Sequence, residues 1–133
     1  MSDWNKQIIE EFRSNGGKVG GAFEGAPLLL LTTTGAKSGM ARTAPVMYLP
    51  DGERMIIFAS KAGAPTNPVW YHNLMAHPQA TVEVVNETIE VTAVEVTSEE
   101  RDRLYAKQAA QFPGFADYEA KTTRRIPVIA LHR

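Results

Sequence analysis

Thr32-Thr33-Thr34-Gly35-Ala36-Lys37-Ser38-Gly39-Met40-Ala41-Arg42-Thr43-Ala44-Pro45-Val46-Met47-Tyr48 is the stretch on which the fold turns. The apolar run Leu28 to Leu31 leads into it and the β-prone residues 43–49 leave it. That spacing predicts strands over 28–34 and 43–49 joined by a tight turn. The unbroken leucines predict burial on both faces of the first strand. Pro45 lacks a backbone donor and places the second strand at a sheet edge or a bulge. Gly35 and Gly39 permit positive φ and can present successive N–H groups to one point. Lys37 and Arg42 add positive charge, and a guanidinium grips two oxygens of a phosphate or carboxylate at once. The stretch reads as an anion-binding hairpin, although an ordinary solubilising turn uses the same ingredients. It is not a P-loop, because Ala36 rather than glycine precedes Lys37 and a strand rather than a helix follows.

Working outward, residues 3–14 form an amphipathic helix with Asp3 as its cap and Trp4, Ile8, Ile9 and Phe12 on one face. That face suits docking on the domain; peripheral contact with a membrane is the minor alternative, since only one lysine flanks it. Asn15-Gly16-Gly17 ends the helix, and Gly20-Gly21 gives a flexible loop. Asp51-Gly52 turns the chain into a third strand over 55–60. Residues 60–68 then form a second loop of serine, lysine, glycine and proline. Pro68 opens a short helix over 69–76, closed by His77-Pro78.

A hairpin over 81–85 and 88–96 turns at Asn86-Glu87, and its apolar phase shifts at Val94 and Val96, which predicts a bulge or a switch of face. Ser98 caps a helix that runs to about Gln111, with Glu99 and Glu100 at its positive end. Phe112-Pro113-Gly114 interrupts it, a helix over 115–121 follows, and residues 126–131 close the chain as a strand. The fold class is α+β, mainly β: a six-to-seven-stranded antiparallel barrel with flanking helices, in one domain over 1–133.

Composition narrows the functions. The chain has 133 residues, 44% hydrophobic and 22% charged, with a formal net charge of −1. That balance argues against disorder and against a nucleic-acid partner, so any anion site is local. No cysteine is present, which removes disulfides, thiolate nucleophiles and cysteine-ligated metals. No signal peptide and no membrane-spanning apolar run is visible, and the expected compartment is the cytoplasm, at most peripheral at the inner face of the membrane. His72 and His77 are spaced five apart, a poor fit to one helix face, so no metal site is expected. No nucleophile elbow, zinc-protease motif or dinucleotide fingerprint occurs. What remains is two glycine–serine–lysine loops with Trp70 and Asn73 beyond the second. Opening on one end of a barrel, they make an electropositive mouth over an apolar interior, suited to a flat ring with an anionic tail. A reactive cofactor would explain the missing acid–base pair.

Five blocks give the pattern a resemblance: residues 15–21, 32–39, 59–65 and 68–74, and Arg125-Ile126-Pro127-Val128. In this order and spacing they closely resemble the deazaflavin-dependent nitroreductase and F420H2-dependent quinone reductase family, over nearly the whole chain. The resemblance implies a split β-barrel, similar to the flavin-binding ones, that binds coenzyme F420, with FMN the weaker candidate. It implies that Lys37, Ser38, Gly39 and Arg42 hold the phosphate and acidic tail. Ser60, Lys61 and Gly63 line the ring and ribityl chain, Trp70 and Asn73 close the pocket, and Thr43, Pro45 and Ala59 complete the cofactor set. A hydride then passes to a small-molecule acceptor: a quinone, nitro compound or activated alkene. Ser60 or Tyr118 is the candidate proton source, and Met47, Phe112, Phe115 and Tyr118 line the substrate pocket. Relatives active on bicyclic nitroimidazoles carry tyrosines near Met47, Phe112 and Phe115, so a quinone-like acceptor fits better here. A non-catalytic carrier of the coenzyme is the alternative function, and a monomer or homodimer the expected assembly.

Overall fold

A computed structural model describes residues 3–17, 19–20, 27–85 and 87–133, without the side chains of residues 3–5 and 62. The Asp3 cap, the Trp4 contact, Gly21 and Asn86 lie outside what is described. Helix α1 (Asp3–Ser14) precedes strands β1 (Leu28–Thr34), β2 (Ala41–Asp51) and β3 (Arg54–Phe58). Helix α2 (Val69–Ala76) is followed by strands β4 (Gln79–Val84) and β5 (Glu87–Val96), helices α3 (Ser98–Gln111) and α4 (Gly114–Lys121), and β6 (Val128–His132). The six strands close into a barrel in the order β1-β2-β3-β6-β5-β4, every pairing antiparallel.

The long strand β2 changes partner halfway. Residues 41–47 pair with β1, Leu28 opposite Met47 through Thr34 opposite Ala41. Residues 48–51 pair with β3, from Tyr48 opposite Ile57 to Asp51 opposite Arg54. The first half therefore has a ladder on one side only. Pro45 falls in that half, where a missing N–H leaves no ladder bond unmade on the open side. The edge expected from the proline is present, without a bulge in the β1–β2 register.

Alternation along the strands sorts the core into layers. Leu29, Leu31, Val46, Ile57, Val82, Val91, Ile129 and Leu131 fill the barrel, and Leu74 of α2 plugs one end. Leu28 and Leu30 point the other way, to Ile9, Phe12 and Val19. Both faces of β1 are thus covered, as its leucines predict. Ile9 and Phe12 of α1 are taken up by this contact, and Arg13 fixes the helix to the barrel with two hydrogen bonds to the Glu83 carboxylate, at 3.1 and 2.8 Å.

The third layer lies outside β3 and β6, where Ile56, Phe58, Val128 and Ala130 meet Leu104, Tyr105 and Phe115 of α3 and α4. Val96 joins this layer, whereas Val91 and Ala93 face the interior. The β5–β6 register runs without interruption from Thr92 to Val96, so the phase change is a switch of covered face, not a bulge. Ser98 does not cap α3. Thr97 holds that position, no side chain supplies the cap bond, and Ser98 itself has φ of 60°.

Buried Tyr105 donates a 2.6 Å hydrogen bond to the Phe115 carbonyl, and burial, with the Glu119 carboxylate second, pushes its hydroxyl pKa up to about 12. An unfolded tyrosine ionises near ~10, so the unfolded chain loses this proton first. Stability that is complete below pH ~10 should therefore fall by about 2–3 kcal/mol on the way to pH 12. Tyr71, raised to about 12 by burial and Glu95, adds to the same window. Urea unfolding at successive pH values should show the decline, and Tyr105→Phe should make it shallower.

Candidate active site

Where β2 loses its second partner, a groove of about 800 Å³ opens between its free edge, the end of β3, α2 and α4. Residues 42–47 form one wall, and Phe58, Ser60 and Lys61 form the floor at the end of β3. Pro68, Val69, Trp70 and Asn73 stand on the α2 side, and Phe115 and Tyr118 on the α4 side. Among the described residues Arg42 and Lys61 are its charged side chains, and none of them brings a carboxylate to it. Low-dielectric walls around two cations favour an anion, although the chain as a whole is slightly acidic.

Most of the residues expected from sequence meet here: Arg42, Thr43, Pro45 and Met47 from β2, Ser60 and Lys61, Trp70 and Asn73, and Phe115 and Tyr118. Lys37, Ser38 and Gly39 occupy the exposed tip of the β1–β2 turn, beside the groove but not on its wall. Ala59 is fully buried, its N–H donating to the Pro127 carbonyl at 2.9 Å. Phe112 packs into the outer layer under α3 and does not reach the groove. Gly63 is also off the wall. Its φ is +81°, and a Cβ there would lie 3.0 Å from the Tyr118 carbonyl oxygen and 3.1 Å from Lys121 Cβ. It lets the second loop sit directly on α4. Gly63→Ala should therefore cost about 1–2 kcal/mol in a thermal or urea melt, through strained φ and the crowded helix.

The first turn is more self-contained than its glycines suggest. Gly35 N–H donates to the Met40 carbonyl at 2.8 Å, Gly39 N–H to the Gly35 carbonyl at 2.9 Å, and Met40 N–H to Ser38 Oγ at 3.2 Å. Ala36 N–H donates to Asn73 Oδ1 at 3.0 Å. The turn is thus not an open row of donors, and among the described residues only the N–H groups of Lys37 and Ser38 are left over. The positive charge at this end of the barrel is carried by the exposed Lys37 and Arg42 side chains.

Asn73 lines the groove as expected and also holds neighbouring segments together. It is 3% exposed, its Oδ1 holds the turn, and its Nδ2 donates to Thr33 Oγ1 at 3.0 Å. Having accepted that bond, the Thr33 hydroxyl is free to donate, and Thr33 lines the groove. One buried amide therefore joins α2, the end of β1 and the anion turn. Sequence reading missed Thr33, Phe58 and Val69 as groove residues. It also missed Arg124, whose guanidinium reaches the second loop by three hydrogen bonds. Strand alternation carries a faint signal for Thr33, which follows inward-facing Leu29 and Leu31. None exists for Arg124.

Ser60 is 8% exposed, Tyr118 is half-buried, and neither hydroxyl has a protein partner among the described residues. Both remain available to a ligand. The Tyr118 ring stands edge-on to Phe115 at 5.2 Å between centroids. Among the described residues no group of His, Asp and Glu could hold a metal ion, and no helix is long and apolar enough to cross a membrane.

The family model for F420H(2)-dependent quinone reductase matches residues 4–133. The F420H(2)-dependent quinone reductase Rv1261c of Mycobacterium tuberculosis is 38% identical over 126 residues, covering 92% of this chain and 85% of that one. A solved F420-H2 dependent reductase (FDR-A) superposes with a TM-score of 0.73 at 37% identity, over 80% of this chain and 94% of that one. A structure described as a domain-swapped dimer reaches 0.76 at 34% identity, over 98% of both chains. Barrel, groove and relatives agree, and the chain belongs to the family of F420H(2)-dependent quinone reductases.

Proposed function

We propose that this protein reduces a quinone-type acceptor with F420H2 in the groove along the free edge of β2. The observation that carries the reading is the make-up of that groove: Arg42 and Lys61 set among apolar and hydroxyl side chains, with no carboxylate among the described residues that line it. Its volume of about 800 Å³ suits a flat ring system, and its charge suits an anionic tail. The reduced deazaflavin, when bound, supplies the hydride.

The chain supplies the rest. Arg42, with Lys37, Ser38 and Gly39 on the adjoining turn, holds the phosphate and acidic tail. Thr43, Pro45, Ser60 and Lys61 flank the ring and its polyol chain, with Ala59 and Gly63 setting the loop behind them. Trp70 covers the ligand from α2. Met47, Phe115 and Tyr118 receive the acceptor and exclude water. Converting a quinone to a hydroquinone takes one hydride and one proton, and the proton passes from Ser60 Oγ or Tyr118 Oη, replenished by solvent. The apolar character of Met47 and Phe115 favours a quinone over a polar nitroimidazole. Two further elements complete the reading. The protein assembles as a homodimer, supported by the 34%-identical domain-swapped relative. Burial of Ile9 and Phe12 leaves those α1 side chains to the protein and not to a bilayer.

A fluorescence titration with F420, run beside FMN, and turnover with menadione test the reading. Tight F420 binding with menadione reduction supports it. F420 binding without turnover on any quinone would leave a carrier, and absence of F420 binding would remove the assignment altogether.

A further inference from the structure

We propose that Arg124 is the positioning residue of this groove, clamping the loop over residues 60–67 in the shape that presents Ser60 and Lys61 to a ligand. The ligand's identity rests on the function proposed above; the clamp itself does not.

Three donors of one guanidinium meet three points of one loop. Nη2 donates to the Ser60 carbonyl at 2.8 Å, where the chain leaves β3. Nε donates to the Ala64 carbonyl at 2.9 Å, in the middle. Nη1 donates to Asn67 Oδ1 at 2.6 Å, just before α2 begins. The contacts cross 64, 60 and 57 residues of sequence. They tie the connection between α4 and β6 to the whole span between β3 and α2.

The loop needs such a hold. Lys61, a residue with a Cβ, sits at φ of 47°, and Gly63 at 81°. Left-handed backbone at a non-glycine residue persists only where the surroundings enforce it. The loop's own bonds are few: Gly63 N–H to the Ser60 carbonyl, Ala64 N–H to the Lys61 carbonyl, and Lys61 Nζ to Thr66 Oγ1 at 3.4 Å.

Arg124 also differs from the other inward arginine. Arg101, 5% exposed, is compensated by Asp102 and Glu119 and lies over the Tyr105 ring. Among the described residues no carboxylate pairs with Arg124; all three of its acceptors are neutral. Burial pushes its pKa down, the sign of a cation held where charge is disfavoured. Its uncompensated charge lies behind the groove wall and adds to that of Lys61. A lysine could keep the charge but could not span three separated acceptors.

The test uses the full chain with Arg124→Lys, Arg124→Met and Asn67→Ala. Amide hydrogen exchange of the ligand-free proteins should show protection over residues 61–66 falling about tenfold or more in both Arg124 variants and less in Asn67→Ala, with β1, β3 and β6 unchanged. With F420H2 and menadione, the KM for F420H2 should rise by about 10- to 100-fold while kcat stays within about threefold. Unchanged loop protection in Arg124→Lys would overturn the proposal. So would an equal loss of protection throughout the barrel, or wild-type affinity in Arg124→Lys, which would make the charge and not the three-point grip responsible. Should the Arg124 variants fail to fold, Asn67→Ala decides: loosening confined to 61–66 supports the clamp and its absence overturns it. Failure of the wild-type protein to bind F420 would sink the proposed function, while the exchange comparison would still judge the clamp.

Discussion

Asn73→Leu is expected to lower the unfolding free energy by about 2–4 kcal/mol and to weaken F420 binding by about 100-fold. Leucine fills the same space but makes neither hydrogen bond. The Ala36 N–H loses its acceptor and the Thr33 hydroxyl loses its donor, both in a partly or fully buried setting. Each stranded polar group costs about 1–3 kcal/mol, hence the stability estimate. Binding suffers separately, because α2 and the turn that carries Lys37 are no longer held to each other. Thr33→Val removes only one link and should cost less on both counts. Urea melts and F420 titrations of the two variants, side by side, check the ranking. An Asn73→Leu protein with wild-type affinity would show that the turn keeps its shape without the amide, and that Asn73 merely fills space.

The double variant Lys37→Ala, Arg42→Ala should have the opposite signature. Both side chains are exposed and neither takes part in an ion pair among the described residues. Stability should therefore stay within about 0.5 kcal/mol of wild type. F420 affinity should fall by about 10²- to 10³-fold at low salt if these side chains hold the phosphate and acidic tail as proposed, because two charge-assisted contacts would then be lost. The dependence of affinity on salt should flatten as well, since the screened part of the attraction has been removed. Isothermal titration at several salt concentrations measures both effects. Unchanged affinity would place the anionic end of the ligand elsewhere, with Lys61 the next candidate.

Most of the scaffold was legible in the residues because its signals are local. The leucine run marks β1, Pro68 and His77-Pro78 bracket α2, and the alternation in 81–96 marks a hairpin; those elements fall within a residue or two of the expected bounds. The groove-lining Arg42, Lys61 and Trp70 were equally visible, as charged or aromatic residues beside loops. What was hidden depends on contacts between distant segments. Asn73 lines the groove as expected, but its part in joining the turn to β1 depends on partners 37 and 40 positions away that no local pattern shows. Arg124 carries no sequence signal at all, because its three acceptors lie 57 to 64 residues away. The change of partner along β2 follows from how the barrel closes, and no single strand's composition encodes it.

That change of partner also bears on the protein's life outside the catalytic cycle. An unpaired strand edge is a template on which another chain can add a strand. Residues 41–47 expose such an edge, guarded by the donor-less Pro45 and the charged Arg42. A ligand seated in the groove covers the same edge. If the coenzyme sits there as proposed, ligand-free protein should self-associate more readily than ligand-bound protein, a difference that light scattering of the two forms would measure.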